Sequence, residues 1–266
     1  MILAINIGNT HTVYALYADK AWKAVWRRST DMDETEDQLA SWLKGLFDMV
    51  ELPFQVDGVV VSSVVPRMNT CIEFLGRKWL GCDPKFIENG EDLGIPVDYE
   101  PPSSVGSDRI ANTLGALAML EKKDGYEGLS LPMVVVDFGT ATTVEAISKE
   151  GRYLGGAIMP GVLVGSYALF GRAAKVPMVE LAPPNRAIGR STTEALRSGI
   201  LLGYAGAVDA LVKQVSEELG GNTTVIATGG LAGVFMQMCE TLQWHEPNLT
   251  LEGLIKAASI FGLPVD

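Results

Sequence analysis

Two short segments hold most of the chemistry that the residue types allow. Residues 5–16 read INIGNTHTVYAL, residues 136–147 read VDFGTATTVEAI, and the two superpose at an offset of 131 residues. Ile5 falls on Val136, Asn6 on Asp137, Ile7 on Phe138 and Gly8 on Gly139. Beyond the turn, Thr12 falls on Thr143, Val13 on Val144 and Ala15 on Ala146. Each segment is an apolar, β-branched run broken by a glycine with hydroxyl and amide neighbours, the pattern of a hairpin. Glycine lets the backbone approach a ligand closely, and successive N–H groups in a tight turn form an anion-binding concavity. Asn9, Thr10, Thr140, Thr142 and Thr143 add side-chain donors. One such turn is as readily a plain hairpin. Two matching copies at half the chain length suggest two homologous lobes that clamp a polyphosphate.

A third cluster is Gly106-Ser107-Asp108-Arg109, at the start of a helical pattern. A carboxylate there complements the helix dipole, which is the reading the residues alone support. The planar fork of Arg109 suits a carboxylate or a phosphate, or a surface ion pair. Other nucleotide-binding signatures are absent: no Gly-Lys dipeptide exists to form a Walker A loop, and no G-x-G to seed a dinucleotide fingerprint. Cys71, Cys82 and Cys239 lack CxxC spacing and are read as free thiols. His11 and His245 are too far apart in sequence for a zinc-type motif. Neither His11 nor Cys82 has a chemistry that the sequence alone supports.

The elements that must position these residues form an α/β pattern. Strands are expected at the two segments above and at 21–27, 57–61, 132–138, 142–147, 152–158 and 223–227. Helices are expected over 35–47, 66–80 with Pro66 at the start, 106–121 with Ile110, Leu114, Leu117 and Leu120 as its stripe, after Pro160, over 192–219, after Thr228-Gly229-Gly230, and over 251–261. The expected division is an N-terminal lobe over 1–115 and a C-terminal lobe over 116–266. The 266 residues, 47% hydrophobic and 20% charged, describe an ordinary globular protein. A net charge of −11 argues against a surface that coats nucleic acid. The N-terminus opens on a strand pattern, and no uninterrupted apolar run approaches ~20 residues, so neither export nor membrane spanning is expected.

Two hairpin phosphate turns and a Thr-Gly-Gly segment resemble the acetate kinase/sugar kinase/Hsp70/actin superfamily, whose lobes are duplicated ribonuclease H-like folds around a nucleotide cleft. Within it the chain resembles the type III pantothenate kinases along almost its whole length. The resemblance rests on Gly8-Asn9-Thr10, Gly106-Ser107-Asp108-Arg109 with Tyr99 upstream, Asp137 to Thr143, Gly155 to Gly161, Gly189-Arg190-Ser191-Thr192 and Ala227-Thr228-Gly229-Gly230. It implies phosphorylation of pantothenate by ATP, the first step of coenzyme A biosynthesis, in the cytoplasm. ATP would be held by Asn6, Ile7, Gly8, Asn9, Thr10, His11, Thr12 and Val13 together with Thr140. Pantothenate would be held by Tyr99, Gly106, Ser107, Asp108, Arg109 and Thr192, with Asp108 as the catalytic base.

The same resemblance implies Mg2+ with ATP, a monovalent cation (K+ or NH4+) at Asp137, and a homodimer. Read without it, Asp137 would be assigned to magnesium. The series Gly199, Gly203 and Gly206 permits close helix contact, within one subunit or between two. The chain departs from the family pattern at Asn6, where an aspartate is usual and helps to hold the magnesium. Two alternatives stay open: a nucleotide-binding accessory protein with weak or no kinase activity, and a kinase for another small hydroxyl substrate.

Overall fold

A computed structural model describes residues 1–122, 125–172 and 177–265. The chain forms two compact units, one built from Met1–Gly125 with Leu249–Asp266, the other from Tyr126–Asn248. The boundary expected between residues 115 and 116 is therefore corrected. The first unit runs through the whole helix that begins after Gly106 and also takes back the C-terminal helix.

The first unit carries a five-stranded sheet in the order β3-β2-β1-β4-β5. Its strands are β1 (Ile2–Ile7), β2 (His11–Ala18), β3 (Ala21–Ser29), β4 (Gly58–Ser63) and β5 (Lys85–Phe86). β1, β2 and β3 form an antiparallel meander, and β4 lies parallel to β1. β1 is apolar on both faces because both faces are covered. Leu3, Ile5, Ile7, Val59 and Val61 pack with Leu39, Leu43 and Phe47 of α1 (Glu36–Met49) and with Met68, Ile72 and Leu75 of α2 (Pro66–Leu75). Thr35 caps α1, exchanging hydrogen bonds with Gln38 in a capping box. The helix expected over 66–80 is regular only to Leu75; residues 76–80 continue as a wider, π-helical turn.

The opposite face of β1 and β4 is covered by the C-terminal helix, α7 in chain order (Leu249–Ile260), which packs along α3 (Ser107–Lys122). Their contact is so close that side chains are excluded. A Cβ on Gly253 would fall inside contact distance of the Ala111 carbonyl, and one on Gly115 inside that of the Leu249 carbonyl. Thr250 also donates a 2.6 Å hydrogen bond to Asn112. Tertiary packing, not sequence adjacency, thus assigns α7 to the first unit.

The second unit repeats the plan with strand order β10-β9-β6-β7-β8. These are β6 (Met133–Phe138), β7 (Ala141–Ile147), β8 (Tyr153–Pro160), β9 (Thr224–Thr228) and β10 (Trp244–His245). Its core joins Val134, Val136, Phe138, Val144 and Val225 to Leu201, Ala205, Val208 and Val212 of α5 (Thr192–Glu218) and to Phe235 of α6 (Ala232–Phe235). α4 (Val162–Arg172) packs beside α5. Among the described residues, α5 alone is long and apolar enough by composition to cross a membrane, and here it supplies core residues.

The duplication is real, but its register differs from the ungapped superposition. Asn6 pairs with Val13 and Ile7 with Thr12, whereas Asp137 pairs with Thr143 and Phe138 with Thr142. The first turn is one residue longer, so Thr12 corresponds to Thr142 and Val13 to Thr143. Burial agrees: His11-Thr12-Val13-Tyr14 and Ala141-Thr142-Thr143-Val144 share one inside/outside alternation. The turn closures match as well. Gly8 N–H donates to His11 O and Gly139 N–H to Ala141 O, each at 3.0 Å; Thr30 N–H donates to Thr10 O and Gly161 N–H to Thr140 O, again at 3.0 Å.

Candidate active site

In the first unit, Asn6, next to last in β1, lies opposite Ser62 of the parallel strand β4, and Ile7 lies opposite Ser63. The Val64 N–H donates to the Ile7 carbonyl, so the turn after β1 and the loop after β4 are joined at one carboxyl edge. Ser107, the first residue of α3, is tied to the same edge. Its Oγ accepts from the Ser63 N–H at 2.8 Å, lies 3.0 Å from the Ser63 carbonyl, and sits 3.0 Å from the Ser62 Oγ. Asp108 comes next, its Oδ1 accepting from the Arg109 N–H at 2.8 Å. A Cβ on Gly106 would lie 2.6 Å from that oxygen, so a side chain there would displace the Asp108 carboxylate. Arg109 is buried, with its guanidinium 5.6 Å from the centre of the Tyr99 ring. The turn after β1 and the segment Tyr99, Gly106, Ser107, Asp108, Arg109 thus belong to one unit whose register is fixed by β1, β4 and the α3–α7 contact.

Thr30, just past β3, was not anticipated as a site residue. Its hydroxyl donates to the Gly8 carbonyl at 2.6 Å, and the Thr12 hydroxyl sits 2.9 Å from the same Thr30 oxygen. Asn9 to Val13 form the remainder of the turn and the start of β2, and the His11 Nδ1 accepts from the Arg27 guanidinium at 2.7 Å. Burial, and after it the Arg27 charge, hold the His11 pKa below its usual value. Asn6 Oδ1 is buried with no hydrogen-bond partner. An orphaned buried acceptor costs roughly 1–3 kcal/mol, so it is a point where a donor from a ligand would be stabilising.

In the second unit, Asp137, next to last in β6, lies between Thr143 of β7 and Thr228 of β9. Thr228 stands where Ser62 stands in the first unit. The chain then turns through Gly229 at φ +91°, where a Cβ would collide with Asp137 Oδ1 and with the Phe138 backbone. The turn after β6 and the Thr228-Gly229-Gly230 segment are thereby held together. Thr143 Oγ1 is buried without a partner. The turn carrying Thr140 is braced from α5, where the Tyr204 hydroxyl lies 2.7 Å from Thr142 Oγ1 and 2.9 Å from the Pro160 carbonyl. Burial raises the Tyr204 pKa, which keeps this group a hydrogen-bond donor. Sequence periodicity gave no signal for Thr30 or Tyr204.

Thr192 is the first residue of α5, after the cap Ser191, whose hydroxyl accepts from the Glu194 N–H. Glu194 in turn accepts from the Arg190 N–H at 2.8 Å; that bond and the Arg186 guanidinium hold its carboxyl below the usual range. Thr192 lies twelve positions before Tyr204, about 18 Å along a helix. Among the described residues no group of three or more His, Cys, Asp or Glu could hold a metal ion. The cysteines are free, and burial pushes the Cys71 thiol up to about 11 and the Cys239 thiol to about 12, which leaves both protonated and unreactive.

Two units with one strand order, each ending its first strand in a glycine turn, define the two-lobed actin-like class. MreB 5 of Spiroplasma citri, solved bound to AMPPNP, has this fold, with a TM-score of 0.52 at 11% identity over 98% of each chain. A protein described as a Baf family transcriptional activator from Campylobacter jejuni matches at a TM-score of 0.61 and 19% identity, again over 98% of each chain. The sequence narrows the class to one family. The model for type III pantothenate kinase matches residues 2–214. The type III pantothenate kinase of Desulfatibacillum aliphaticivorans is 43% identical over 256 residues, 96% of each chain. The chain belongs to the type III pantothenate kinase family.

Proposed function

We propose that this protein transfers the γ-phosphoryl of ATP to the primary hydroxyl of pantothenate, forming 4′-phosphopantothenate and ADP as the entry to coenzyme A biosynthesis. Full-length identity to pantothenate kinases carries the reading. The docking of Ser107, the neighbour of Asp108, on Ser62 and Ser63, which lie opposite Asn6 and Ile7, supports it. Phosphoryl transfer asks the protein mainly for in-line positioning and charge neutralisation. Asn6, Ile7, Gly8, Asn9, Thr10, His11, Thr12, Val13 and Thr140 hold phosphate oxygens. Tyr99, Gly106, Ser107, Arg109 and Thr192 hold pantothenate, with Arg109 pairing its carboxylate. Asp108 orients the attacking hydroxyl and takes its proton as the O–P bond forms and the bond to ADP breaks.

Bound Mg2+ supplies charge neutralisation at the phosphates. The orphaned Asn6 Oδ1 fits a metal-held water there, although it lacks the charge of the carboxylate usual in the family. Asp137, paired with Thr143, whose hydroxyl is also unsatisfied, fits a monovalent cation such as K+ or NH4+. The protein works as a cytoplasmic homodimer through α4 and α5. Leu163, Val164, Tyr167 and Leu202 are exposed, and nothing lies within 4 Å of a Cβ placed on Gly199, Gly203 or Gly206.

Asn6 is the observation that favours a second reading, an accessory relative that keeps the fold without the rate. Coupled ADP release, measured with pantothenate, pantetheine, sugars and acetate, and with magnesium and potassium present or absent, separates them. Pantothenate-dependent turnover that needs both cations is the expected result. A folded protein with no turnover on any acceptor supports the accessory reading.

A further inference from the structure

We infer that Thr30 is a positioning residue for nucleotide binding: it holds the first phosphate turn in the shape that presents its N–H groups. The inference rests on the reading of that turn as an ATP site. Thr30 makes three hydrogen bonds to alternate residues of the turn. Its N–H donates to the Thr10 carbonyl at 3.0 Å, its hydroxyl donates to the Gly8 carbonyl at 2.6 Å, and its Oγ1 lies 2.9 Å from the Thr12 hydroxyl. A hydroxyl has one proton, and here it goes to Gly8, so the buried Thr12 hydroxyl is the donor to Thr30. A trans peptide is planar, so a pegged Gly8 carbonyl turns the Asn9 N–H to the opposite side, and a pegged Thr10 carbonyl does the same for the His11 N–H. Those are the N–H groups that a phosphate would need.

The second unit shows what the side chain replaces. Gly161 corresponds to Thr30 and makes the same backbone bond, to the Thr140 carbonyl. There is no room for a side chain there, because a Cβ would collide with the Thr140 and Gly139 carbonyls. The first turn is one residue longer, and the space opened by that residue is filled by the Thr30 hydroxyl. A longer turn has more freedom, so it needs the additional tie.

The test compares wild type, Thr30→Val and Thr30→Ser by steady-state kinetics in each substrate and by thermal unfolding. Valine keeps the shape and removes the hydroxyl; serine keeps the hydroxyl. Thr30→Val is expected to raise the KM for ATP by about tenfold or more, with the KM for pantothenate within about twofold, and Thr30→Ser to stay within about threefold of wild type. An ATP KM for Thr30→Val within about twofold of wild type overturns the inference. So does equal impairment in both variants accompanied by equal loss of thermal stability, the behaviour of a merely structural residue. Should Thr30→Val fail to fold, Thr30→Ala is read against the same thresholds. Gly8→Val separates the two levels of the argument, since a Cβ at Gly8 already lies 3.0 Å from the His11 carbonyl. If Gly8→Val weakens ATP and Thr30→Val does not, the role of Thr30 alone fails. If neither does, the turn itself is not the nucleotide site.

Discussion

The strand pair that opens the first unit and the pair that opens the second share a ladder but brace their turns differently. Both close on a glycine N–H, and both are pegged by a backbone N–H from just beyond the third strand. In the first unit the added residue is accommodated by Thr30, a neighbour in the same sheet. In the second, the shorter turn leaves room only for Gly161, and the brace comes from Tyr204 on a helix. The segments after the two parallel strands, β4 and β9, differ too. Ser63 receives the start of α3 through Ser107, whereas Gly229 brings the chain against Asp137. One architecture duplicated thus comes to differ locally by changing which residues fill equivalent hydrogen-bonding positions.

The largest effect is expected where the units differ most, at the acceptor motif. Asp108→Asn should lower kcat by roughly 10²–10⁴-fold, the usual worth of a positioned proton acceptor, with little change in ATP binding by calorimetry. Near-normal turnover would reduce Asp108 to a helix cap and remove the functional asymmetry of the two units. Next comes Gly161→Ala, which places a methyl against the Thr140 carbonyl. It should cost roughly 1–3 kcal/mol of stability in chemical denaturation and raise the KM for ATP. A neutral result would show that the second turn has as much space as the first.

Tyr204→Phe should be milder, costing about 1 kcal/mol and raising the KM for ATP by less than Gly161→Ala does. If it leaves both unchanged, the helix brace is dispensable and only the sheet-borne tie of the first unit matters. Asn6→Asp makes the two strand ends chemically alike. It should lower the magnesium concentration needed for half-maximal rate and leave the KM for pantothenate alone, since hard cations favour anionic oxygens. An unchanged magnesium dependence would mean that the amide oxygen suffices.

The smallest effect concerns His11, whose counterpart Ala141 cannot titrate. Its pKa in the fold lies below the ordinary value of 6.5. The unfolded chain therefore takes up the proton first, and stability should decline as pH falls from about 6.5 towards the lower folded value. His11→Gln should flatten that decline in denaturation curves recorded across this window. An unchanged slope would assign it to other groups.

Much of this molecule was legible in its residues. Alternating β-branched runs, Pro66 at a helix start and the glycine turns placed the main strands and helices. The repeated segment disclosed the duplication, because side-chain periodicity and turn chemistry are local properties. Asn6, Asp137 and their neighbours stood out as candidates for the same reason, whereas Asp108 stood out only through the family resemblance. The sequence could not reveal that the second copy slips by one residue after the turn. An ungapped superposition keeps Val13 on Val144 as readily as the ladder keeps it on Thr143, and only pairing across strands decides between them. Nor did it assign α7 to the first unit, since that rests on Gly253 meeting Ala111 across more than half the chain. Thr30 and Tyr204 look like ordinary polar residues in the sequence. Their roles exist only because folding brings their hydroxyls to carbonyls and hydroxyls 18, 22, 44 and 62 residues away. Local patterns fix which way a side chain faces; the distances that make a hydrogen bond are set by packing.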